Sequence, residues 1–588
     1  MDNSTKNWKL TVKDGLYSDS SIWVDGVVPL PDSPVGIQNN VTLDQSITTC
    51  GFQIFSGAKL SFDPANSVAI DNCENFIVLG TLQMRPAIPA VDHLIKFHKV
   101  DETKVQGGGM DIIDTDPGIW VRDGGILDLQ GSPKTAWTNL VGSANKLATS
   151  IIVQKLDGWN IGDEISIVPS TLPSISTFTT GFDTRFISSI VGNVLYLNSP
   201  LQYDHPMVNG YTAEVINLTR NVRIEGKGDG TANPLTNGRV HINIGMTSNP
   251  VNISNVQLRY MGPRYNTPDT YTNFITGRYP FHIHMVGNAS NGSIIDGVVV
   301  RDSGSHCFVS HASNGITYNN CVTYNTYEEA YWWDTPPADD DKNPINNSND
   351  ITYNNCIAAL LKSDPSFRGY RLCGFQLGSG LRNTCKNSVA VGNQGNSGAA
   401  GFLWPESSNQ TDNVWTFDNN ISHNNKNDGI FIWENDNHIH IITNFTAYNN
   451  GYAGIEQGAY INTYKYLDCK LINNKNGILL HCLSSTAGNI QFERVYSSNP
   501  LYIMPHVLPS KQPVIFKNCS FPKVVLSEMP KRVTTPTASV NYFVDCNLKY
   551  ADFQWQFMEL GSVIKVQDSE VAYQIDDKGV QKTIPKFY

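Results

Sequence analysis

The chain has 588 residues, of which 40% are hydrophobic, 10% aromatic and only 16% charged. That leaves enough apolar surface to bury and too little charge for a disordered polymer. Its 42 basic residues against 53 acidic ones give a net charge of −11, which excludes a basic stripe for nucleic acid. An anionic ligand would need a local basic pocket. No apolar run nears the roughly 20 residues that span a bilayer, so no integral membrane segment is expected. The sequence as given opens without a basic-then-apolar secretory leader.

Residues 1–20 read as a polar lead-in. From 21 to 145 come many short strands separated by Gly, Pro and Asp turns, and 146–245 continue β-rich. Between 246 and 510 the chain repeats itself: Cys321 sits in ITYNNCVTYN and Cys356 in ITYNNCIAAL. Cys469, Cys519 and Cys546 return to the theme. Aligning Val298, Cys321, Cys356, Val389, Ile421, Phe445 and Cys469 gives steps of 23, 35, 33, 32, 24 and 24 residues. The preceding residue is Gly297, Asn320, Asn355, Ser388, Asn420, Asn444 or Asp468. Four residues after come Asp302, Asn325, Leu360, Asn393, Asn425, Asn449 and Asn473.

Recurring turn residues at this period mark a solenoid, and the Val/Ile/Thr/Tyr runs between them mark strands. Asn tolerates left-handed turns, and its amide can bond from coil to coil. The expected fold is all-β, a right-handed parallel β-helix with loops inserted on one face. Residues 511–588 read as its C-terminal β coils and cap. Eleven cysteines cannot all pair within one chain. Most are expected as inward-facing small hydrophobes. Cys50 and Cys73 stand one repeat apart and could stack or pair.

The segments SIWVDGVVPLPDSPVGIQNNVTLD, FQIFSGAKLSF and IWVRDGGILDLQGSPKTAWTNL resemble the G8 domain, with Trp23, Gly26, Pro29, Gly57, Gly124, Gly125, Gly131 and Trp137 at its scaffold positions. The similarity continues through GWNIGDEISIVPST, LTRNVRIEG and GRYPFHIHMVGNASNGSIIDGVVVRDSGSHCFVSHASNGITYNNCVTYN. This order resembles the G8-plus-β-helix family of cell-surface hyaluronidases, cell-migration-inducing hyaluronan-binding proteins and fibrocystin-like receptors. The resemblance implies a parallel β-helix at the cell surface or outside the cell and, in the hyaluronidase members, calcium-dependent cleavage of hyaluronan. Two departures stand out. VPSTLPS follows GDEISIV without the family's acid. EEAYWWDT replaces a Gly-His-x-Tyr-Phe-Leu-Glu-Asp pattern, so Glu329 takes the His position and Asp334 that of the Glu.

His282 and His284 lie two apart in one strand and so share a face. Bonding to neighbouring coils, glycan contact, acid/base work and metal ligation all remain open for them. One coil on, His306 begins a strand whose fifth position beyond is His311. Glu329, Gly401 and Gly429 begin strands leading likewise to Asp334, Glu406 and Glu434. Trp332, Trp333, Trp404 and Trp433 interleave with this column. Strands stack about 4.8 Å apart, so carboxyls one or two coils apart bracket the separations used in glycoside cleavage. Packed acids raise one another's pKa, which suits a general acid.

Arg278, Arg301, Arg368 and Arg371 are the basic candidates for uronate carboxylates. Asp339, Asp340 and Asp341 could hold calcium or form a solvated acidic loop. No nucleophile elbow, phosphate loop, dinucleotide fingerprint or zinc-protease helix occurs.

The expected function is extracellular depolymerisation of a glycosaminoglycan-like polysaccharide, hyaluronan first, in a groove along the β-helix. His282, His284, His311, Asp334, Glu406 and Glu434 would be its catalytic groups, by hydrolysis or, second, by elimination. The rival is a glycan-binding or structural β-helix without catalysis, an adhesin or virion fibre component.

Overall fold

The structure is a computed structural model. It describes residues 7–587 apart from 110, 173–180, 229–232, 234, 236, 265–273, 333–346, 363–371, 379, 397, 405–413, 433–437, 459–462, 482–488, 505–513, 527–539, 556–562 and 577. Each turn of the chain supplies three short strands. Ser293–Asp296, Val299–Arg301 and Phe308–Ser313 make one coil; Ile316–Asn319, Val322–Tyr327 and Tyr331–Trp332 make the next. Equivalent strands pair in parallel with in-register partners, such as Ile295 with Tyr318, Val300 with Thr323 and Phe308 with Tyr331. The result is the expected right-handed parallel β-helix with three long sheets, here named third, first and second in the order of those strands. The first coils belong to the same stack: His93 pairs with Val222, Gly118 with His241 and Asp128 with Asn252. Gly131 is required there because a Cβ would lie 2.1 Å from the Asn255 carbonyl.

The coils turn where the sequence places residues that accept a positive φ. Between the third and first sheets these are Gly297, Asn320, Asn355, Asn387, Asn419, Asn444 and Asp468, all between 52° and 63°. Between the first and second sheets they are Asp302, Asn325, Leu360, Gly392, Asn424, Asn449 and Asn473. Their amides climb the stack: Asn355 Nδ2 donates to Asn320 Oδ1 at 2.6 Å, and Asn419 Nδ2 to Asn387 Oδ1 at 2.9 Å. A second ladder is buried, with Asn425 donating to Asn450 and Asn450 to Asn474, each at 2.9 Å.

These ladders correct the register read from sequence at two rungs. Ile357 pairs with Val389 and Val389 with Ile421, so the residues level with Cys356 are Ser388 and Asn420. Val389 and Ile421 therefore face outward, because a one-residue slip reverses a strand's faces. The interior is a single apolar column in which flat rings stack along the axis. Phe308, Tyr331, Phe375 and Phe402 follow one another at 5.2, 4.4 and 4.9 Å between ring centroids. Cys307, Cys321, Cys356, Cys385, Cys469 and Cys519 are inward-facing core residues, whereas Cys50 and Cys73 form a disulfide.

Trp137–Asn217 leave the stack as a six-stranded antiparallel sheet. It docks on the outward side of the first sheet, burying Val299, Val322, Ile357 and Val389 against residues such as Ile151, Ile165 and Val215. Polar ties border the dock: Arg301 Nη2 donates to Glu164 Oε1 at 3.1 Å, and His423 Nε2 lies 3.0 Å from Glu214 Oε2. No helix among the described residues is long and apolar enough to cross a membrane.

Candidate functional site

The outward side of the second sheet carries ionisable groups where the first sheet carries aliphatics. At its lower end His284 is the direct cross-strand partner of His311, and His282 lies two residues before on the same face. The rings of His282 and His284 are 4.7 Å apart and those of His284 and His311 4.8 Å; the nitrogens of all three lie within 4.8 Å of one another. His282 is fully buried, His284 nearly so and His311 partly exposed. Burial, reinforced by the two neighbouring imidazoles, pushes His282 far below the usual histidine range and keeps it neutral. Its Nδ1 faces the Gly277 carbonyl at 3.2 Å, which also accepts from Asn243 Nδ2.

In the two coils below the triad lies a cationic, aromatic floor. Asn243, the partner of His282, accepts from Arg122. Trp120 is flanked by the guanidiniums of Arg122 and Arg278 at 5.0 and 4.6 Å from its ring. Burial and the charge of Arg278 push Arg122 down to about 10. His306, on the coil of His311, stacks on Trp332 of the coil above at 3.6 Å, with its Nδ1 3.0 Å from Glu329 Oε2. Glu329, which stands where the family pattern has His, is thus held against His306 in the wall.

Higher on the same face is a second cluster. Glu456 and His481 come from successive coils, with Oε1 and Nε2 3.1 Å apart, and the Asp428 carboxyl lies on the coil beneath. Burial, then the neighbouring Glu456 charge, drives the Asp428 carboxyl far above the usual carboxylate range, toward its protonated form. Glu456 is 8% exposed and Asp428 not at all, which puts Glu456 at the edge and Asp428 behind it. Four strand spacings of about 4.8 Å separate the coils of His311 and Asp428, about 20 Å.

Several sequence expectations change here. Asp334, Glu406, Glu434, Trp333, Trp433, Arg368, Arg371 and Asp339–Asp341 lie outside the described residues. His282, His284 and His311 come together. Trp332 and Trp404 do not share a face: Trp332 lies outside against Phe274 and Tyr279, whereas Trp404 is in the interior against Phe417 and Tyr464. The supposed column slips by one residue, because Tyr331 pairs with Phe375 and Cys373 with Ala400, which levels Glu329 with Ala400 rather than with Gly401.

Arg278 is not a surface uronate binder. It is fully buried, with Nε 2.7 Å from an equally buried Asp116. Arg301 is committed to Glu164 and Asp302. Asp428, Glu456 and His481 were missed. The signal was the glycine column: Gly401 and Gly429 continue to Gly454 and Gly477, each too close to a neighbouring coil for a side chain. Counting on from Gly454 reaches Glu456.

Calcium, implied by the resemblance, finds no fit at the triad, whose three nitrogen donors suit a softer ion than calcium's oxygen-seeking charge.

Residues 238–335, which contain the triad, match the CEMIP beta-helix family model. A G8 domain-containing protein of Dictyostelium discoideum is 26% identical over 345 residues, covering 54% of this chain and 27% of that protein. The cell migration-inducing and hyaluronan-binding protein of Mus musculus is 27% identical over 180 residues, 27% of this chain and 12% of that one. The chain spans under a third of the length of the first curated relatives it matches. Among solved structures, the catalytic domain of a GH87 alpha-1,3-glucanase bound to tetrasaccharides is 12% identical with a TM-score of 0.30, covering 72% of this chain and 92% of that one. A likeness at that score carries no inference about activity. The resemblance to the G8-plus-β-helix proteins holds.

Proposed function

From this kinship with G8 and CEMIP β-helix proteins, we propose that the chain binds and cuts an extracellular glycosaminoglycan-like polysaccharide, hyaluronan first, along the outward face of the second sheet. The observation that carries the reading is the Asp428–Glu456–His481 cluster: a fully buried carboxyl pushed toward its protonated form, beside a second carboxyl at the edge of solvent that a histidine holds at 3.1 Å. Glu456 is the acid/base group that meets the glycosidic oxygen or the attacking water. Asp428 is its proton reserve and His481 fixes its orientation; both are positioning residues. A named hyaluronan-binding relative supports the choice of polymer.

The test incubates the protein with hyaluronan, chondroitin and alginate, following chain length and the ultraviolet absorbance of unsaturated uronate. Shortened chains without new absorbance are expected. Glu456→Gln should lower the rate by about 10²–10⁴-fold, the usual range for losing a general acid or base, with unchanged affinity for the polymer. New absorbance would replace hydrolysis with elimination. Intact chains that co-migrate with the protein would reduce the reading to binding alone.

A further inference from the structure

We propose that His282, His284 and His311 bind a divalent transition ion of the zinc class. The site stands apart from the cleavage reading: five strand spacings, about 24 Å, separate the coils of His311 and Glu456.

Three observations on geometry carry it. First, the parallel register sets His284 directly across from His311 and points His282 to the same side, so the convergence is built into the sheet. Second, the rings are arranged as a cup: His282 and His311 are nearly parallel, 5° and 6.1 Å apart, with His284 inclined at about 60° to both. The nitrogens fall within 4.8 Å of one another. Nitrogens on a tetrahedral zinc, with bonds of about 2.0–2.1 Å, stand about 3.3 Å apart, a gap that small ring rotations close. Third, the Gly277 carbonyl can only accept, so at 3.2 Å it fixes the proton on His282 Nδ1 and leaves the lone pair on Nε2. A carbonyl behind a ligating imidazole is how metal-binding histidines are held in one tautomer.

The donor set defines the ion. Three imidazole nitrogens select zinc, cobalt, nickel or copper over calcium and magnesium. Three protein ligands leave one position open for water or a ligand oxygen. The partly exposed His311 places that opening toward solvent.

The experiment strips the full chain with chelator, then titrates it with Co²⁺ and Zn²⁺. The expected result is one Co²⁺ per chain with visible ligand-field bands, displaced by Zn²⁺ and not by excess Ca²⁺. His311→Ala and His284→Ala should each weaken binding by more than about 100-fold, beyond the cost of losing a supporting contact. His438→Ala, elsewhere in the stack, should leave binding unchanged. His311→Gln guards against misfolding: it should melt like the stripped wild type and lose the rise in Tm that Zn²⁺ gives the wild type. Absence of stoichiometric metal in the wild type would overturn the proposal. So would undiminished binding in the His311 and His284 variants, or displacement by calcium.

Discussion

The first and second sheets climb the same coils side by side, and their outward surfaces differ in chemistry. Outside the first, Val299, Val322, Ile357 and Val389 form an aliphatic stripe that docks an antiparallel sheet. Outside the second, equivalent rungs carry His282, His311, Trp332, Asp428 and Glu456. The stacking that makes a β-helix constrains the inward side chains and the turns. The outward positions are left to be spent on assembly in one sheet and on polar chemistry in the other.

That contrast can be broken most severely on the apolar side. Ile357→Asp puts an unpaired charge into the dock, where Ile357 is fully buried. It should cost more than about 4 kcal/mol in urea unfolding, the range of buried unpaired charges.

The polar side answers to pH instead. Asp428 has a folded pKa far above its unfolded value of about 3.9, so between those two the folded state binds more protons. Stability therefore falls as pH rises through that window, by up to about 1.4 kcal/mol per pH unit. Asp428→Asn removes this loss. Its Tm relative to wild type should climb from about pH 4 toward neutrality; a pH-independent difference would mean that Asp428 is ionised in the fold.

The smallest effect belongs to the turns common to both sheets. Asn419 has φ 52° on the exposed ladder. Asn419→Ala should cost about 1–2 kcal/mol by chemical denaturation, and Asn419→Gly distinctly less.

The turns were the most legible part of the sequence. Asn320, Asn355 and Asn444 announce positive φ because few other residues tolerate it, and their spacing gave the winding directly. Strand facing was less legible. At Val389 and Ile421 both faces are lined with apolar or amide side chains, so hydrophobicity did not distinguish the core column from the dock. The antiparallel insertion at Trp137–Asn217 left no mark apart from more short strands. At the candidate site His282, His284 and His311 were found through their motif. Glu456 was passed over because the glycine column was followed from Gly401 to Gly429 and no further, and Asp428 because positions were counted only forward from each glycine.

What the sequence determined alone was the coil: its turn residues, its inward cysteines and rings, and its similarity to G8 and CEMIP β-helix proteins. What only the tertiary structure decided was adjacency. Coil lengths vary with the inserted loops, and a strand's faces alternate with every residue. Whether an acid meets a histidine, a guanidinium or the core therefore depends on register to the single residue, which the hydrogen-bonded ladders fix.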